Sequence, residues 1–301
     1  MNNKIKYLLE YFKYLKNPIN ALKFKFGLEK KCIIKIKNSD IELELHTVKA
    51  LNILMNNMRT TKINKYDDLM KYIKNIDEEK DVVTIDEINY KNIYNDDFIQ
   101  ENPNLYNICI EEYFSDDQWD MINFENRYVI DIGANIGDTT LYFAKENANV
   151  IGFEPVKHLY ELGIENISLN PKLKENIIFI NKAVGGKQGK LNITSQTTKT
   201  YINTEDNYQI DVITVKDILN DYNFPADILK MDCEGCEFEI ILNEDLTMFN
   251  DIIFEHHSQQ VGKDYKPLIK KLENDGFEIN TYPVATSQLE FEDIGIIHAF
   301  K

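Results

Sequence analysis

The chain has 301 residues, of which 43% are hydrophobic and 28% are charged, and its formal net charge is −16. This composition supports a sizeable core and excludes a wholly disordered chain, and the acidic charge argues against a general nucleic-acid binder. The sequence has no apolar run of about 18 residues and no N-terminal secretory pattern, which predicts no transmembrane helix and a cytoplasmic location.

The N-terminal segment is basic, in contrast to the rest of the chain. Residues 1–37 hold ten lysines against two glutamates, a net charge of +8, so the remainder carries −24. Leu8, Leu9, Phe12 and Leu15 follow helical spacing, which predicts a lysine-rich helix. Three interpretations remain open: contact with an anionic membrane surface, contact with a neighbouring subunit in a homodimer, or packing on its own domain with the lysines in water.

The segment that follows predicts a small α+β region. Alternating apolar and charged residues between Ile34 and Leu45 flank the turn-prone Asn38-Ser39-Asp40, a pattern typical of a β-hairpin with Lys–Glu pairs on its wet face. Residues 47–76 have helical character with a possible break at Thr60-Thr61, and 86–120 receive no assignment. We therefore predict an N-terminal accessory region at 1–110 and a second domain at 111–301.

From Tyr128 onward, strands and helices are predicted to alternate. The short apolar runs are YVIDIG, NVIGFE, IIFINKAV, ADILKMD and DIIFEHH, and the helical segments between them are 136–146, 156–170, 234–243 and 263–275. This alternation indicates parallel βαβ units with helices on both faces of a sheet, an α/β fold. Residues 189–213 predict an inserted hairpin, and FEINTY and IGIIHAF predict two closing strands.

The clearest ligand-binding pattern joins a strand to a helix that begins near Ile136. It contains Asp131, Gly133, Ala134, Asn135, Gly137, Asp138 and Thr139, and Glu154 ends the next strand. The glycines allow a tight turn near a ligand, and an acidic residue at the second strand end can accept both hydroxyls of a ribose. The loop lacks the G-x-G-x-x-G of dinucleotide sites, and its carboxylates favour a cationic ligand such as S-adenosylmethionine (SAM). A dinucleotide, or a turn that binds nothing, remains an alternative.

A second group of candidate residues follows two later strands. Asp232 and Glu234 are separated by one residue, so that one carboxylate can position an acceptor hydroxyl while the other assists its deprotonation. The alternative for Glu234 is favourable charge at the start of the next helix. Glu237 is predicted to be structural.

A histidine pair ends the fifth strand of the alternating region. Side chains alternate along a strand, so Glu255 and His257 share a face while His256 points the other way. We predict Glu255 and His257 as catalytic residues, with His257 as a general base. The alternative is that both histidines are ordinary loop residues.

Metal and cysteine chemistry is not required by the sequence. Asp232, Glu234, Glu255 and His257 are suitable ligands for a divalent metal, but their spacing does not demand one. A divalent metal is therefore possible but not required, and we assign no metal-binding residue. Cys233-x-x-Cys236 stands alone, without the second pair of a zinc ribbon. It is expected to be two small residues that pack at a strand–helix junction.

Four segments together resemble the FkbM family of SAM-dependent methyltransferases. These are VIDIGANIGDTTLYFA, VIGFEP, INKAVGG and DILKMDCEGCEFEII, and the resemblance covers about residues 110–300. It implies a class I (Rossmann-like) seven-stranded, mostly parallel sheet with a reversed last strand. It also implies SAM at the strand carboxyl ends and O-methylation of hydroxyls on sugars or related metabolites.

The resemblance also implies roles for single residues. Asp131, Gly133, Asn135 and Gly137 would line the methionine side of SAM, and Ala134 would also belong to the cofactor site. Asp138 and Thr139 would cap the following helix or reach the ligand through water. The remaining assignments are Glu154 on the ribose with Pro155 shaping its turn, Asn181 and Ala183 beside the adenine, and Asp232 near the transferred methyl.

We therefore predict a SAM-dependent methyltransferase that acts on a hydroxyl of a small-molecule or glycan acceptor. An RNA or protein methyltransferase is the enzymatic alternative. A SAM-binding module without catalysis is the other.

Overall fold

The computed structural model describes residues 3–35, 37, 42–45, 48, 51, 55, 73–77, 82–85, 87–91, 121–193, 208–284 and 290–301. The chain divides into two compact units, Met1–Ser115 and Asp116–Lys301. None of the helices in the described ranges is long and apolar enough to cross a membrane.

The described residues of the first unit form helices and antiparallel strands. Its elements are α1 (Asn3–Tyr14), α2 (Pro18–Lys25), the hairpin of β1 (Cys32–Lys35) and β2 (Glu42–Leu45), and a sheet of β3 (Ile73–Asp77), β4 (Val82–Ile85) and β5 (Ile88–Lys91). The predicted hairpin and an ion pair between Lys35 and Glu42 are confirmed. The predicted turn at 38–40 lies outside the described residues.

The helix predicted over 47–76 is wrong at its end. Residues Ile73–Asp77 form β3, which pairs with β4 in antiparallel register. Isoleucines in β3 oppose valine- and isoleucine-rich β4, and β-branched residues pack well in strands. Of the preceding part of the predicted helix, only residues 48, 51 and 55 are described, and all three are helical.

The second unit is built on a seven-stranded sheet with the order β14-β15-β13-β12-β6-β7-β8. The strands are β6 (Tyr128–Ile132), β7 (Asn149–Phe153), β8 (Ile177–Ile180), β12 (Ile228–Met231), β13 (Asp251–His256), β14 (Glu278–Pro283) and β15 (Gly295–Phe300). β15 runs antiparallel to both of its neighbours, and the other pairs are parallel. The seven-stranded, mostly parallel α/β sheet with a reversed last strand is therefore confirmed.

Helices join these strands close to the predicted places. They are α3 (Asp138–Lys145), α4 (Lys157–Ser168), α5 (Pro171–Lys174), α6 (Val215–Asp221), α7 (Cys236–Asn243), α8 (Ser258–Val261) and α9 (Lys266–Asn274). β10 (Gly189–Ile193) and β11 (Tyr208–Ile213) form the predicted antiparallel hairpin, and β9 (Ala183–Val184) runs parallel beside β11. Residues 194–207 between the two hairpin strands lie outside the described ranges.

The core explains the continuous apolar runs of the central strands. All four residues of β12 are buried, as are four of the five in β6 and in β7, because the sheet is covered on both faces. From β6 the chain moves outward through β7 and β8, and it then returns to β12 on the other side. The carboxyl ends of β6 and β12 therefore flank the topological switch point, where ligands bind in open α/β sheets.

Candidate active site

The loop after β6 has a backbone that requires its glycines. Gly133 and Gly137 have φ angles of 77°, and Asn135 has a φ of 47°. A Cβ atom on Gly133 would lie 1.8 Å from the backbone oxygen of Asp232. The loop thus passes against the end of β12, and α3 begins at Asp138, two residues later than the predicted start near Ile136.

A buried ion pair between β6 and β12 supports this loop at the strand ends. Nζ of Lys230 lies 2.9 Å from Oδ1 of Asp131, and the two side chains are 4% and 0% exposed. Hydroxyl groups of Thr139 and Thr140 donate to the other oxygen of Asp131 at 2.8 and 2.6 Å. Nζ of Lys230 also donates to the carbonyl of Gly133 at 3.3 Å. Asp131 and Thr139 are therefore enclosed by protein atoms and support the loop Gly133–Gly137, which we call the donor loop.

Sequence reasoning missed Lys230, although one signal pointed to it. Lysine is almost never fully buried unless it is paired, and Lys230 stands in an apolar, buried strand. Burial alone would lower the pKa of Lys230, but Asp131, Asp232 and Asp138 outweigh burial and raise it above its usual value. The lysine therefore stays charged beneath the loop.

Glu154 links the end of β7 to the same loop. Its Oε2 accepts a hydrogen bond from the backbone N–H of Asn135 at 2.9 Å, and its Oε1 accepts one from Val156 at 2.7 Å. Burial raises the pKa of Glu154 to about 8, although both hydrogen bonds oppose the shift. Each carboxylate oxygen keeps a second lone pair, so the group can still accept hydrogen bonds from the ribose hydroxyls.

The other predicted cofactor residues lie around this centre. The Nδ2 group of Asn181 donates to the carbonyls of Glu154 and Pro155 at 2.8 and 3.1 Å, which fixes the turn after β7. Asp138 is buried at the start of α3, and burial raises its pKa to about 7. Ala134 and Ala183 are also buried. The structure thus places these residues along the carboxyl ends of β6, β7 and β8, with Ala183 in the adjoining β9.

The predicted catalytic residues converge on the other side of the switch point. Nε2 of His257 lies 3.2 Å from Oε1 of Glu255, 3.8 Å from Oδ1 of Asp232 and 3.7 Å from Oε2 of Glu234. We call these four residues the acceptor-side cluster. The structure brings together all four residues that the sequence singled out.

The protonation of His257 differs from what a general base requires. Burial opposes the charged imidazolium, but Glu255, Asp232 and Glu234 outweigh burial and raise the pKa of His257 to about 10. The imidazole therefore carries a proton at neutral pH, whereas a general base must be free of it. Burial raises the pKa of Glu255, which favours this carboxylate as the proton acceptor.

His256 faces away from the cluster, as side-chain alternation predicts. Its ring stacks on Tyr265 at 4.5 Å between centroids and meets Phe291 edge-on at 5.0 Å. Its Nδ1 lies 3.0 Å from the hydroxyl of Ser258. Burial and the charge of His257 lower the pKa of His256 to about 4, so this ring is neutral and structural.

The turn after β12 corrects the cysteine prediction. Cys233 and Cys236 form a disulfide, whereas the sequence analysis expected two unbonded residues. Glu234 and Gly235 have φ angles of 58° and 118°, and this tight turn leaves the two cysteine Cα atoms 5.5 Å apart, within disulfide range.

Glu237, which the sequence analysis predicted to be structural, is fully buried in the first turn of α7. Its Oε1 accepts a hydrogen bond from the backbone N–H of Cys233 at 2.8 Å and lies 3.9 Å from Nδ1 of His257. Burial raises the pKa of Glu237 to about 7, against the opposing charge of His257. Its carboxylate lies on the Nδ1 side of the His257 imidazole, behind the face that meets the other cluster residues.

A family model for the methyltransferase FkbM domain matches residues 131–279. This part of the chain belongs to the FkbM methyltransferase family. The match begins at Asp131 and contains Glu154, Lys230 and the whole acceptor-side cluster. The strand order of the second unit, with its one reversed strand, is that of the class I methyltransferase fold.

Similar solved structures include methyltransferases from other organisms. The FkbM methyltransferase from Methylobacillus flagellatus KT is 14% identical, with a TM-score of 0.44, over 61% of this chain and 46% of that chain. Fibrillarin from Aeropyrum pernix with natively bound SAM is 13% identical, with a TM-score of 0.36, over 59% of this chain and 68% of that chain. Magnesium protoporphyrin IX methyltransferase from Synechocystis PCC 6803 with bound SAM is 13% identical, with a TM-score of 0.35, over 68% of this chain and 84% of that chain.

The chain thus spans less than half the length of the Methylobacillus flagellatus protein. A comparison with curated proteins finds no match.

Proposed function

We propose that this protein transfers the methyl group of SAM to a hydroxyl of a sugar, glycan or related metabolite. The observation that carries the proposal is the arrangement of two groups across the switch point. The donor loop and Glu154 lie on one side, and the acceptor-side cluster lies on the other. Glu154 accepts the ribose hydroxyls, and the Gly133–Gly137 backbone follows the methionine part of the donor.

The proposed reaction is a direct displacement at the methyl carbon. The acceptor oxygen forms a bond to this carbon while the carbon–sulfur bond breaks, and the electron pair of that bond stays on sulfur in S-adenosylhomocysteine. The hydroxyl proton passes to Glu255, whose raised pKa makes it the better base. Charged His257 keeps the neighbouring carboxylates in place. The sulfonium is already activated, so alignment supplies much of the rate.

Calorimetric titration with SAM and with S-adenosylhomocysteine tests the donor site. We expect micromolar binding that Glu154→Ala weakens at least tenfold, a loss of about 1.4 kcal/mol. Glu161→Ala is the matched control, because Glu161 is an exposed residue on α4. Failure of the folded protein to bind either ligand would remove the methyltransferase proposal.

The acceptor is tested with radiolabelled SAM and separate small-molecule, glycan, RNA and protein fractions. Transfer of label to sugars or glycans supports the proposal, and Glu255→Gln should then reduce turnover more than SAM binding. Label found in RNA or protein would replace the proposed acceptor. Tight SAM binding without transfer to any fraction would favour a binding module.

A further inference from the structure

Three side chains of the acceptor-side cluster have the separations of metal ligands. Asp232, Glu255 and His257 each offer one ligand atom, and these atoms lie within 4.8 Å of one another. Two ligand atoms that are each about 2.1 Å from one ion are about 3.0 Å apart at a right angle and about 4.2 Å apart across it. The distances from Nε2 of His257 to Glu255 and Asp232, 3.2 and 3.8 Å, fall within this interval.

The negative charge of the cluster also favours the binding of a cation. Within the described residues, the only ion pairs within 4 Å of Asp232, Glu237 and Glu255 are with the one imidazole of His257. The buried Lys230 pairs directly with Asp131, and its charge acts on Asp232 from more than 4 Å. Carboxylates that leave water are stabilised by paired charges or by metal ions, and three carboxylates exceed one imidazole.

The environment of His257 is a second and independent observation. The side chain is 5% exposed, and its Nε2 points toward Asp232 and Glu255. Its Nδ1 and Oε2 of fully buried Glu237 have no hydrogen-bond partner among the described residues. Metal-binding histidines commonly have a carboxylate behind the ring, which holds the proton on the far nitrogen and turns the near one toward the metal. Glu237 is 3.9 Å from Nδ1 and occupies this position.

We propose that Asp232, Glu255 and His257 bind one divalent cation and that Glu237 orients His257. Two carboxylate oxygens and one imidazole nitrogen form a mixed ligand set that suits Mn²⁺ better than Ca²⁺, which prefers oxygen ligands alone. The cation takes the place of the proton on Nε2. Glu234 lies at the edge, with Oε2 3.7 Å from Nε2, and the remaining positions are open to water and to an acceptor hydroxyl.

The cation would act on the acceptor. A hydroxyl bound to a divalent ion releases its proton more readily, and the oxygen of Glu255 that does not bind the ion accepts this proton. This role in catalysis depends on the proposed methyl transfer. The cation site itself depends only on the geometry of the cluster.

Titration of the chelator-treated full chain with MnCl₂ tests the site, with free Mn²⁺ read by electron paramagnetic resonance in the absence of SAM. We expect one Mn²⁺ per chain, and Asp232→Asn, Glu255→Gln and His257→Gln should each weaken binding at least tenfold. Glu237→Gln should weaken it less than removal of a direct ligand. Glu273→Gln, on an exposed residue of α9, is the matched control and should leave binding unchanged.

Thermal melting of each variant without metal shows whether it is folded, and only folded variants are compared. Absence of binding by the folded wild type up to about 1 mM Mn²⁺ would overturn the site, as would unchanged binding in Asp232→Asn and Glu255→Gln. SAM titration of the same samples separates the two proposals. Mn²⁺ binding without SAM binding would contradict only the proposed function, and SAM binding without Mn²⁺ binding only the cation site.

Discussion

Lys230→Met removes the cation that compensates Asp131 beneath the donor loop. At the Nζ–Oδ1 distance of 2.9 Å, the Coulomb attraction is about 6 kcal/mol for an effective dielectric constant of 20, before the cost of desolvation. Removing one partner of a buried pair typically costs about 3–5 kcal/mol, because the other charge stays buried. Proteins are stable by about 5–15 kcal/mol, so we expect a large fall in the free energy of unfolding.

Urea unfolding followed by circular dichroism measures this loss. Lys190→Met is the matched control, because Lys190 forms an exposed ion pair with Asp211 at 2.6 Å on the β10–β11 hairpin. We expect its urea midpoint to stay close to that of the wild type. The double variant Asp131→Asn/Lys230→Met should be more stable than Lys230→Met alone, because it also removes the buried Asp131 charge that Lys230→Met leaves unpaired.

Two results would refute this account of the ion pair. One is a Lys230→Met variant that loses less than about 1 kcal/mol, which is the range of an exposed pair. The other is a double variant whose loss equals the sum of the two single losses, which would mean that the side chains do not interact. Lys230→Met should also weaken SAM binding, because Lys230 holds the carbonyl of Gly133.

Three further predictions concern the loop, the pH dependence and the first unit. Gly133→Ala should abolish SAM binding, measured by calorimetry, because its Cβ would overlap the carbonyl of Asp232 at a φ angle that favours glycine; micromolar binding would contradict this. SAM affinity should rise by up to about tenfold per pH unit between pH 6 and 8, because Glu154, with a pKa of about 8, must release its proton to accept two hydroxyls. The same titration of Glu154→Gln should lack this rise, and an equal rise would place the titrating group elsewhere. For the first unit, we propose contact with anionic membranes through the lysines and exposed apolar residues of 3–35, such as Phe26. The chain should sediment with phosphatidylserine vesicles at low salt and should not sediment with phosphatidylcholine vesicles. Equal sedimentation with both kinds of vesicle would exclude a contact based on charge.

Local sequence patterns were sufficient to predict most of the second unit. The apolar runs of β6, β7, β12 and β13 are continuous because both sheet faces are covered, and the helical segments between them show amphipathic spacing. Alternation along β13 also placed Glu255 and His257 on one side and His256 on the other. These features depend on residues that are close in sequence.

The features that were not predicted depend on contacts between distant residues. Lys230 and Asp131 pair across adjacent strands and are 99 positions apart in the chain. The local sequence around either residue does not show which residue it pairs with. His257 is positively charged because three carboxylates from two strand ends surround it. The sequence shows only a histidine after a strand, and that feature alone predicted a general base. The prediction of a helix over 47–76 was wrong at its end, because strand pairing with β4 outweighed the local helical periodicity of the sequence.

The K-x-D-x-E-G-x-E segment connects the two sides of the cleft through its spacing. Lys230 and Asp232 are two residues apart at the end of β12, so both lie on the side of the strand that meets the switch point. Lys230 supports the donor loop, and Asp232 belongs to the acceptor-side cluster. Gly235 then turns the chain so that Glu237 comes to lie behind His257. One segment thus sets the distance between the donor loop and the acceptor-side cluster. A residue inserted between Lys230 and Asp232 should therefore impair methyl transfer more than an insertion in the β10–β11 hairpin.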